Sequence, residues 1–373
     1  MMSRNSRLGE FLQAIDWPLM LILSMLSGVG LVNLYSAAQA VSAGAPFHIA
    51  QGVALILGLV VIGVMSAFKL KTFERASYFA YGGVVLLLIL VLLFGVTINN
   101  SRRWLNLGLF VMQPSELLKI GVIVLTARYF QDRDSHDPLR LRDLWRLALA
   151  VAAGVFLVIK QPDLGTSLTI LAIFMTMVLF ERLKLSSLLI LGLSCVMCLP
   201  FVWSFGMKPY QRNRVISFLN LEEDQHGQAW QVRQSIIAFG SGKVWGKGHL
   251  QGTQIAKGFV PEHENDFAAA NWAEEHGLVG MLFLLSIYMA LIVWSLRIAS
   301  NAESRYGQHI AVGMAAFIFW HVFVNLNMVT GMLPVVGLPL PLMSAGRSNL
   351  LTIMIGMGLL MNVSMTSRRK KPR

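Results

Sequence analysis

Residues 261–296 read PEHENDFAAANWAEEHGLVGMLFLLSIYMALIVWSL. A polar segment containing Glu262, His263, Glu264 and Asp266 runs straight into a long apolar stretch. A bilayer core roughly 30 Å thick needs about 20 apolar helical residues to cross it, and this stretch is long enough. Glu274 and Glu275 fall inside it, and Glu274, eight residues past Asp266, shares roughly its helix face. A carboxylate kept at the mouth of a membrane helix is costly, so Asp266 reads as chemistry at the membrane surface.

The same pattern recurs on both sides. Apolar stretches at 17–37, 49–68, 78–98, 115–130, 144–159, 165–180, 188–203, 309–328 and 350–365 accompany the one at 267–296. The expectation is an all-α polytopic membrane protein of about ten transmembrane helices, forming one integral membrane domain over residues 1–373. The stretches at 115–130, 144–159, 165–180 and 350–365 are short and read as tilted, broken or shielded spans. Composition agrees, with 55% hydrophobic residues, 13% charged and a mean hydropathy of +0.61. A soluble domain carries about 25% charged residues, so a soluble protein is excluded.

The net charge of +12 is distributed in a telling way. Arg4 and Arg7, then Lys69, Lys71 and Arg75, then Arg128, Arg133, Arg140, Arg142 and Arg146, then Arg182 and Lys184, then Arg297 and Arg305, and finally Arg368 to Arg373, occupy alternate connections between spans. This positive-inside pattern puts both termini, including the basic tail 366–373, in the cytoplasm. It also accounts for the basicity without a nucleic-acid partner. Ala38-Gln39-Ala40 resembles a leader cleavage site, but the length of the first stretch and the spans that follow favour an uncleaved helix. Cys195 and Cys198 lie inside the seventh span and read as small packing side chains.

One connection is large. Residues 204–265, between helices 7 and 8, fall outside the cytoplasm, and a structureless loop of that size is unusual. Residues 230–240 have helical apolar spacing and are expected to lie on the membrane. Arg212, Arg214, Arg233, Lys243, Lys247 and Lys257 make this loop basic. Arginine forks match phosphate oxygens, so the loop is suited to a diphosphate; contact with anionic headgroups is the alternative. Two further outer loops are 99–113, with Arg102, Arg103 and Trp104, and 331–344, with Pro334, Pro339 and Pro341.

Several polar groups fall where lipid should be. Glu116 and Lys119 share a helix face just after Pro114, either as an ion pair between helices or as substrate contacts. Asp163 either caps the sixth span or, like Lys160, faces a polar cavity. Glu262, His263, Glu264 and Asp266 form a weak candidate for a divalent cation, with no fixed metal site assigned. One of Glu274 and Glu275 is expected to make an interhelical contact, and His309 and His321 to be packed.

With these motifs on the page, the chain resembles the SEDS family (shape, elongation, division and sporulation), in its RodA-like branch. The matching segments are Arg103-Trp104-Leu105-Asn106-Leu107-Gly108, Gln113-Pro114-Ser115-Glu116 with Lys119, Gln161-Pro162-Asp163-Leu164-Gly165-Thr166-Ser167, Tyr210-Gln211 with Arg214, Gly246-Lys247-Gly248 with Gly252-Thr253-Gln254, Pro261-Glu262 with Asp266-Phe267 and Ala273-Glu274-Glu275, and Gly331 to Pro341. Pro334-Val335-Val336-Gly337 matches the elongation branch better than the division branch. The pattern departs at Ser344-Ala345-Gly346-Arg347-Ser348-Asn349, where the family shows Ser-Tyr-Gly-Gly-Ser-Ser and where this chain gains a cation at Arg347. Asn271, Trp272 and His276 are also unusual.

The resemblance implies a ten-helix peptidoglycan glycosyltransferase that polymerises lipid II during cell elongation, alongside a class B penicillin-binding protein. It makes Asp266 the catalytic carboxylate. Asp266 would take the proton from the acceptor GlcNAc 4-hydroxyl, and the oxygen would invert the donor MurNAc C1. Lys119, Arg212, Arg214 or Arg347 would stabilise the leaving undecaprenyl diphosphate, a task that Mg or Mn could share. Glu116, Asp163, Lys247 and Ser344 complete the expected substrate-binding set. Two other readings stay open: a lipid II flippase and a non-catalytic scaffold for the crosslinking partner.

Overall fold

A computed structural model describes residues 13–40, 47–98, 101–106, 108, 111–133, 138–201, 204, 209–219, 228–259 and 264–370. Each of the ten apolar stretches contains a helix. In chain order they are α1 (Trp17–Ala40), α2 (Phe47–Ala67), α3 (Leu70–Phe94), α4 (Pro114–Gln131), α5 (Trp145–Lys160), α6 (Leu164–Phe180) and α7 (Leu185–Phe201). Among the described residues of the large loop, two longer helices follow, α8 (Pro209–Leu219) and α9 (Gln228–Ser241), with a single turn at Thr253–Ala256, and then α10 (Ala268–Asn301), α11 (Arg305–Val329) and α12 (Arg347–Lys370).

The helix ends have local causes. Pro114 starts α4, where its missing N–H costs nothing. The Asp163 carboxylate caps α6 by accepting from the Thr166 N–H at 3.2 Å, and the Ser304 hydroxyl caps α11 by accepting from Gly307 at 3.1 Å.

Among the described residues six helices, α1, α2, α3, α10, α11 and α12, are long and apolar enough to cross a membrane, and the chain is a multi-pass membrane protein. Rows of exposed apolar side chains such as Phe79, Leu93, Phe94, Leu189, Leu193 and Leu282 suit contact with lipid. Two expected boundaries are corrected. The last helix is full length, because it continues into polar residues at both ends. The third begins at Leu70 and stops at Phe94, because Val96–Ile98 is drawn into a sheet.

That sheet is a departure from an all-α fold. Strands β1 (Val96–Ile98), β2 (Ser101–Asn106) and β3 (Val111–Met112) form a small antiparallel meander, with Val96 opposite Trp104 and Leu105 opposite Met112. The expected loop 204–265 also carries structure. Its helix α9 packs on α10 and α11, with Ala229, Val232, Ser235 and Ala238 buried and the Ser235 hydroxyl donating to Val329 O at 2.7 Å. The apolar face expected to meet the membrane is therefore spent on the bundle, while Ile236 and Ile237 remain exposed.

Of the six long apolar helices α11 and α12 are the most enclosed, and α11 touches α4, α6 and α10. Helices in lipid associate by close packing at small residues. A Cβ on Gly313 would lie 2.7 Å from Ile123 Cγ2, so the approach of α11 to α4 requires glycine there. At one end of the bundle the basic connections are tied by ion pairs. Arg128 bonds Glu74 at 2.6 Å, Arg305 bonds Glu181 at 2.9 Å, and Arg368 meets Asp16 at 3.0 Å.

Candidate active site at the head of the tenth helix

Asp266 stands two residues before α10 and is half-buried. Its surroundings are built by the 331–344 loop. This stretch has no regular secondary structure, yet Leu338, Leu340, Pro341, Leu342, Met343 and Ser344 are buried. Irregular backbone inside a membrane protein is tolerated where protein surrounds it and satisfies its polar groups, and several side chains do so here. Asn325 Nδ2 donates to both Asp266 O (2.8 Å) and Leu338 O (2.7 Å). The Tyr288 hydroxyl donates to Pro341 O at 2.6 Å, and Gln51 Nε2 to Ser344 O at 3.1 Å. Ala345 N–H donates to Glu264 O at 2.7 Å.

Asn325 thus ties the Asp266 backbone to the loop. On the opposite side, Gly337 turns at φ 72, and a Cβ there would lie 3.3 Å from Asp266 Oδ2. The carboxylate rests against a residue whose left-handed φ favours glycine.

Three other expected groups gather around the same loop. Arg214 donates to Val335 O at 3.2 Å. Gly165, in the first turn of α6, abuts Val336 O. Asp163 just ahead of it accepts from Gln113 Nε2 at 3.1 Å and lies 3.7 Å from an Arg103 nitrogen. Arg103 reaches across from β2 and donates to Gln161 O at 2.8 Å and Pro162 O at 2.5 Å. Asp163 is therefore both cap and partner. Ser344 is buried and accepts from Leu340 N–H at 2.8 Å, whereas Arg347 is exposed at the start of α12.

Glu116 and Lys119 are enclosed. The Lys119 ammonium, 0% exposed, donates to both Glu116 oxygens at 2.9 Å each and contacts His321 Nε2 at 2.8 Å. His321 Nδ1 lies 2.9 Å from Phe317 O. With a proton there, Nε2 is left to accept, and all three ammonium donors are used. The pair joins α4 to α11. His321 and Asn325 are one helical turn apart, so one face of α11 holds both the buried ion pair and Asp266. No sequence pattern links His321 to Lys119, and the roles of Gln113 and Asn325 rest on tertiary contacts; the i+4 spacing from His321 is the one sequence signal that points to Asn325.

The remaining expected groups lie elsewhere. Lys247 is paired with Glu274 at 2.5 Å, and Arg212 donates to Ser204 O at 2.6 Å. Glu274 and Glu275 both make contacts between elements, where one was expected: Glu275 accepts from Ser36 of α1 and from the Leu250 N–H. Lys160 is exposed beside the Phe156 ring. Pro261, Glu262, His263 and the side chains of Cys195 and Cys198 lie outside the described residues.

The profile of a family described as "Cell cycle protein", whose label joins FtsW, RodA and SpoVE, matches residues 16–369. The chain belongs to the SEDS family. It is an enzyme of the glycosyltransferase class that its relatives' names carry. The Escherichia coli K12 protein named peptidoglycan glycosyltransferase MrdB is 40% identical over 312 residues, covering 83% of each chain. A chain of a solved assembly described as "Structural coordination of polymerization and crosslinking by a peptidoglycan synthase complex" superposes with a TM-score of 0.82 at 30% identity, covering 95% of this chain and 99% of that one. The Thermus thermophilus rod shape determining protein RodA superposes with a TM-score of 0.69 at 28% identity, covering 96% and 98%.

Proposed function

We propose that this chain polymerises lipid II into peptidoglycan glycan strands during cell elongation. The observation that carries the reading is the placement of Asp266, a half-buried carboxylate at the head of a membrane helix, fixed by Asn325 through its own backbone and set against a bare glycine. A base must be held at a defined point, and the Asn325 bond to the Asp266 carbonyl and the Gly337 contact support that reading.

In this reading Asp266 accepts the proton of the acceptor GlcNAc 4-hydroxyl. The oxygen forms a bond to MurNAc C1 of the donor, and the C1–O bond to diphosphate breaks with inversion. The electron pair leaves on undecaprenyl diphosphate. A positioned base contributes typically 10²–10⁴-fold. Arg214, which already reaches the 331–344 loop, and Arg347 are the cations assigned to the departing diphosphate, and Arg212, placed elsewhere, is not. Asp163 and Ser344 shape the cavity around the 331–344 loop. Glu116 and Lys119 act from beneath by holding α4 against α11, and Lys247 by holding the outer turn on α10. A flippase reading would use the Glu116–Lys119 pair as a polar path, but the lysine has no donor to spare.

We further assign α1–α7 and α10–α12 as ten spans of one domain, with both termini cytoplasmic and the 204–265 segment outside, in the bacterial inner membrane. The partner is a class B penicillin-binding protein that crosslinks the product.

The test uses purified protein and labelled lipid II, with and without a penicillin-binding protein whose transpeptidase is inactive. Wild type should give glycan ladders on a gel. Asp266→Asn should give none while remaining folded and membrane-inserted. Full ladders from Asp266→Asn would remove Asp266 as the base, and lipid II movement across vesicles without polymer would favour the flippase.

A further inference from the structure

A second cluster lies where the turn at 242–252 meets α10. Gly277 (φ 63, ψ −160) breaks the α10 ladder, and the turn takes up the freed peptide groups. Lys247 N–H donates to Glu274 O and Gly248 N–H to Glu275 O, both at 3.0 Å. Leu278 N–H donates to Lys243 O at 2.9 Å and Val279 N–H to Val244 O at 3.1 Å. Four backbone bonds therefore fix the turn that carries His249 against the residues Glu275 and His276.

The result is convergent. One imidazole nitrogen each from His249 and His276 and one carboxylate oxygen of Glu275 all lie within 4.8 Å of one another. Glu275 is buried and pre-oriented: its Oε1 accepts from the Leu250 N–H at 3.1 Å and from the Ser36 hydroxyl, which turns Oε2 towards His249 Nδ1 at 3.3 Å. His276 is held as well. Its ring stacks on Trp272 at 3.7 Å, and its Nδ1 lies 3.3 Å from Trp272 O. A proton shared with that carbonyl leaves the Nε2 lone pair available, the usual way in which a ligating histidine is oriented. His249 is exposed, so the cluster is open to solvent. A simple hydrogen bond explains His249 on Glu275. It does not explain why a second imidazole is brought into the same space.

We propose that His249, Glu275 and His276 bind a divalent transition-metal ion of the zinc class, with water in the remaining position. Two imidazoles and one carboxylate are donors for zinc, whereas magnesium and calcium take oxygen sets. Bonds of about 2.0–2.1 Å place the donors of a tetrahedral ion roughly 3.4 Å apart, so a pair at the 4.8 Å limit has to close by roughly 1.4 Å, a movement that exposed or half-buried imidazole rings allow. The ion would clip the turn to α10 and, through Ser36, to α1. This role is separate from any cation that assists at Asp266.

The test uses the tag-free full chain in detergent, stripped with EDTA, then exposed to zinc, cobalt or magnesium and dialysed. Elemental analysis should find one zinc per chain, and cobalt should give visible absorption of four-coordinate intensity. Zinc should raise the unfolding temperature by roughly 5 °C or more, and magnesium should not. His249→Ala, which removes an exposed ring and keeps the fold, should cut zinc retention at least tenfold, as should His276→Leu. Asp266→Ala should retain zinc as wild type does. Equal retention by His249→Ala and wild type, or none by wild type, would overturn the proposal.

Discussion

Replacing Lys119 by Met probes the buried pair beneath the site. Methionine keeps the length and apolar character of the lysine stem but deletes the ammonium. Both Glu116 oxygens, each 2.9 Å from Nζ, lose their cation, and His321 Nε2 loses its donor at 2.8 Å. Lys119 is 0% and Glu116 4% exposed, so water does not take its place. Stripping one partner from a buried pair costs about 3–5 kcal/mol, a large share of a total stability of roughly 5–15 kcal/mol. The double variant Glu116→Leu/Lys119→Met removes both charges and leaves only the His321 lone pair unmet, a penalty of about 1–3 kcal/mol. The double variant should therefore be more stable than Lys119→Met alone. Thermal unfolding in detergent at fixed pH reads this directly, with Lys119→Met dropping the unfolding temperature by on the order of 10 °C and the double variant recovering much of it. An unchanged temperature for Lys119→Met, or a double variant that loses the sum of both single effects, would refute the reasoning.

Three further outcomes are expected. Gly337→Ala places a methyl 3.3 Å from Asp266 Oδ2 at a φ of 72; it should cost about 1–2 kcal/mol of stability but cut the polymerisation rate by a larger factor, and an unchanged initial rate would free Asp266 from this contact. Asn325→Ala leaves the buried Leu338 carbonyl and the Asp266 carbonyl without their shared donor; the rate should fall at least tenfold, and Asn325→Gln should recover part of it. At Glu181, burial acts to raise the carboxyl, but His309 and Arg305 outweigh it and hold the group below its ordinary value of 4.5. A depressed folded value stabilises above the ordinary carboxylate range and is lost as pH falls through it. The unfolding temperature should drop as pH falls below about 4.5, and Glu181→Gln should be less stable at pH 7 with a flatter acid limb.

Hydropathy made the helices legible because lipid-facing and core-facing residues are both apolar, so span detection does not depend on packing. It blurred where packing decides. The stretch around α4 carries Glu116, Lys119 and Arg128, and the first two are buried by packing that includes His321 and Phe317 of α11 against Lys119. The 331–344 segment reads as a proline-rich loop, but its burial depends on Asn325, Tyr288 and Gln51 arriving from three different helices. Asp266 was legible from its position in a polar-to-apolar boundary and from its motif. Its neighbour Gly337 lies 71 positions along the chain, and no periodicity joins the two. The β1–β3 meander leaves no mark in the hydropathy because its strands are only a few residues long and cross-strand pairing selects them.

The break at Gly277 has a mechanical consequence. Because the turn at 242–252 completes the hydrogen-bonding of α10 on both sides of the bend, it is grafted into the helix. The segment from Gly277 to Asn301 is a rod of about 36 Å at 1.5 Å per residue. Near its far end, Trp294 donates to Asp16, which also holds Arg368 of α12. A force applied to the turn by anything that grips it is delivered as a torque on this rod, and the opposite side of the bundle is where it is resisted.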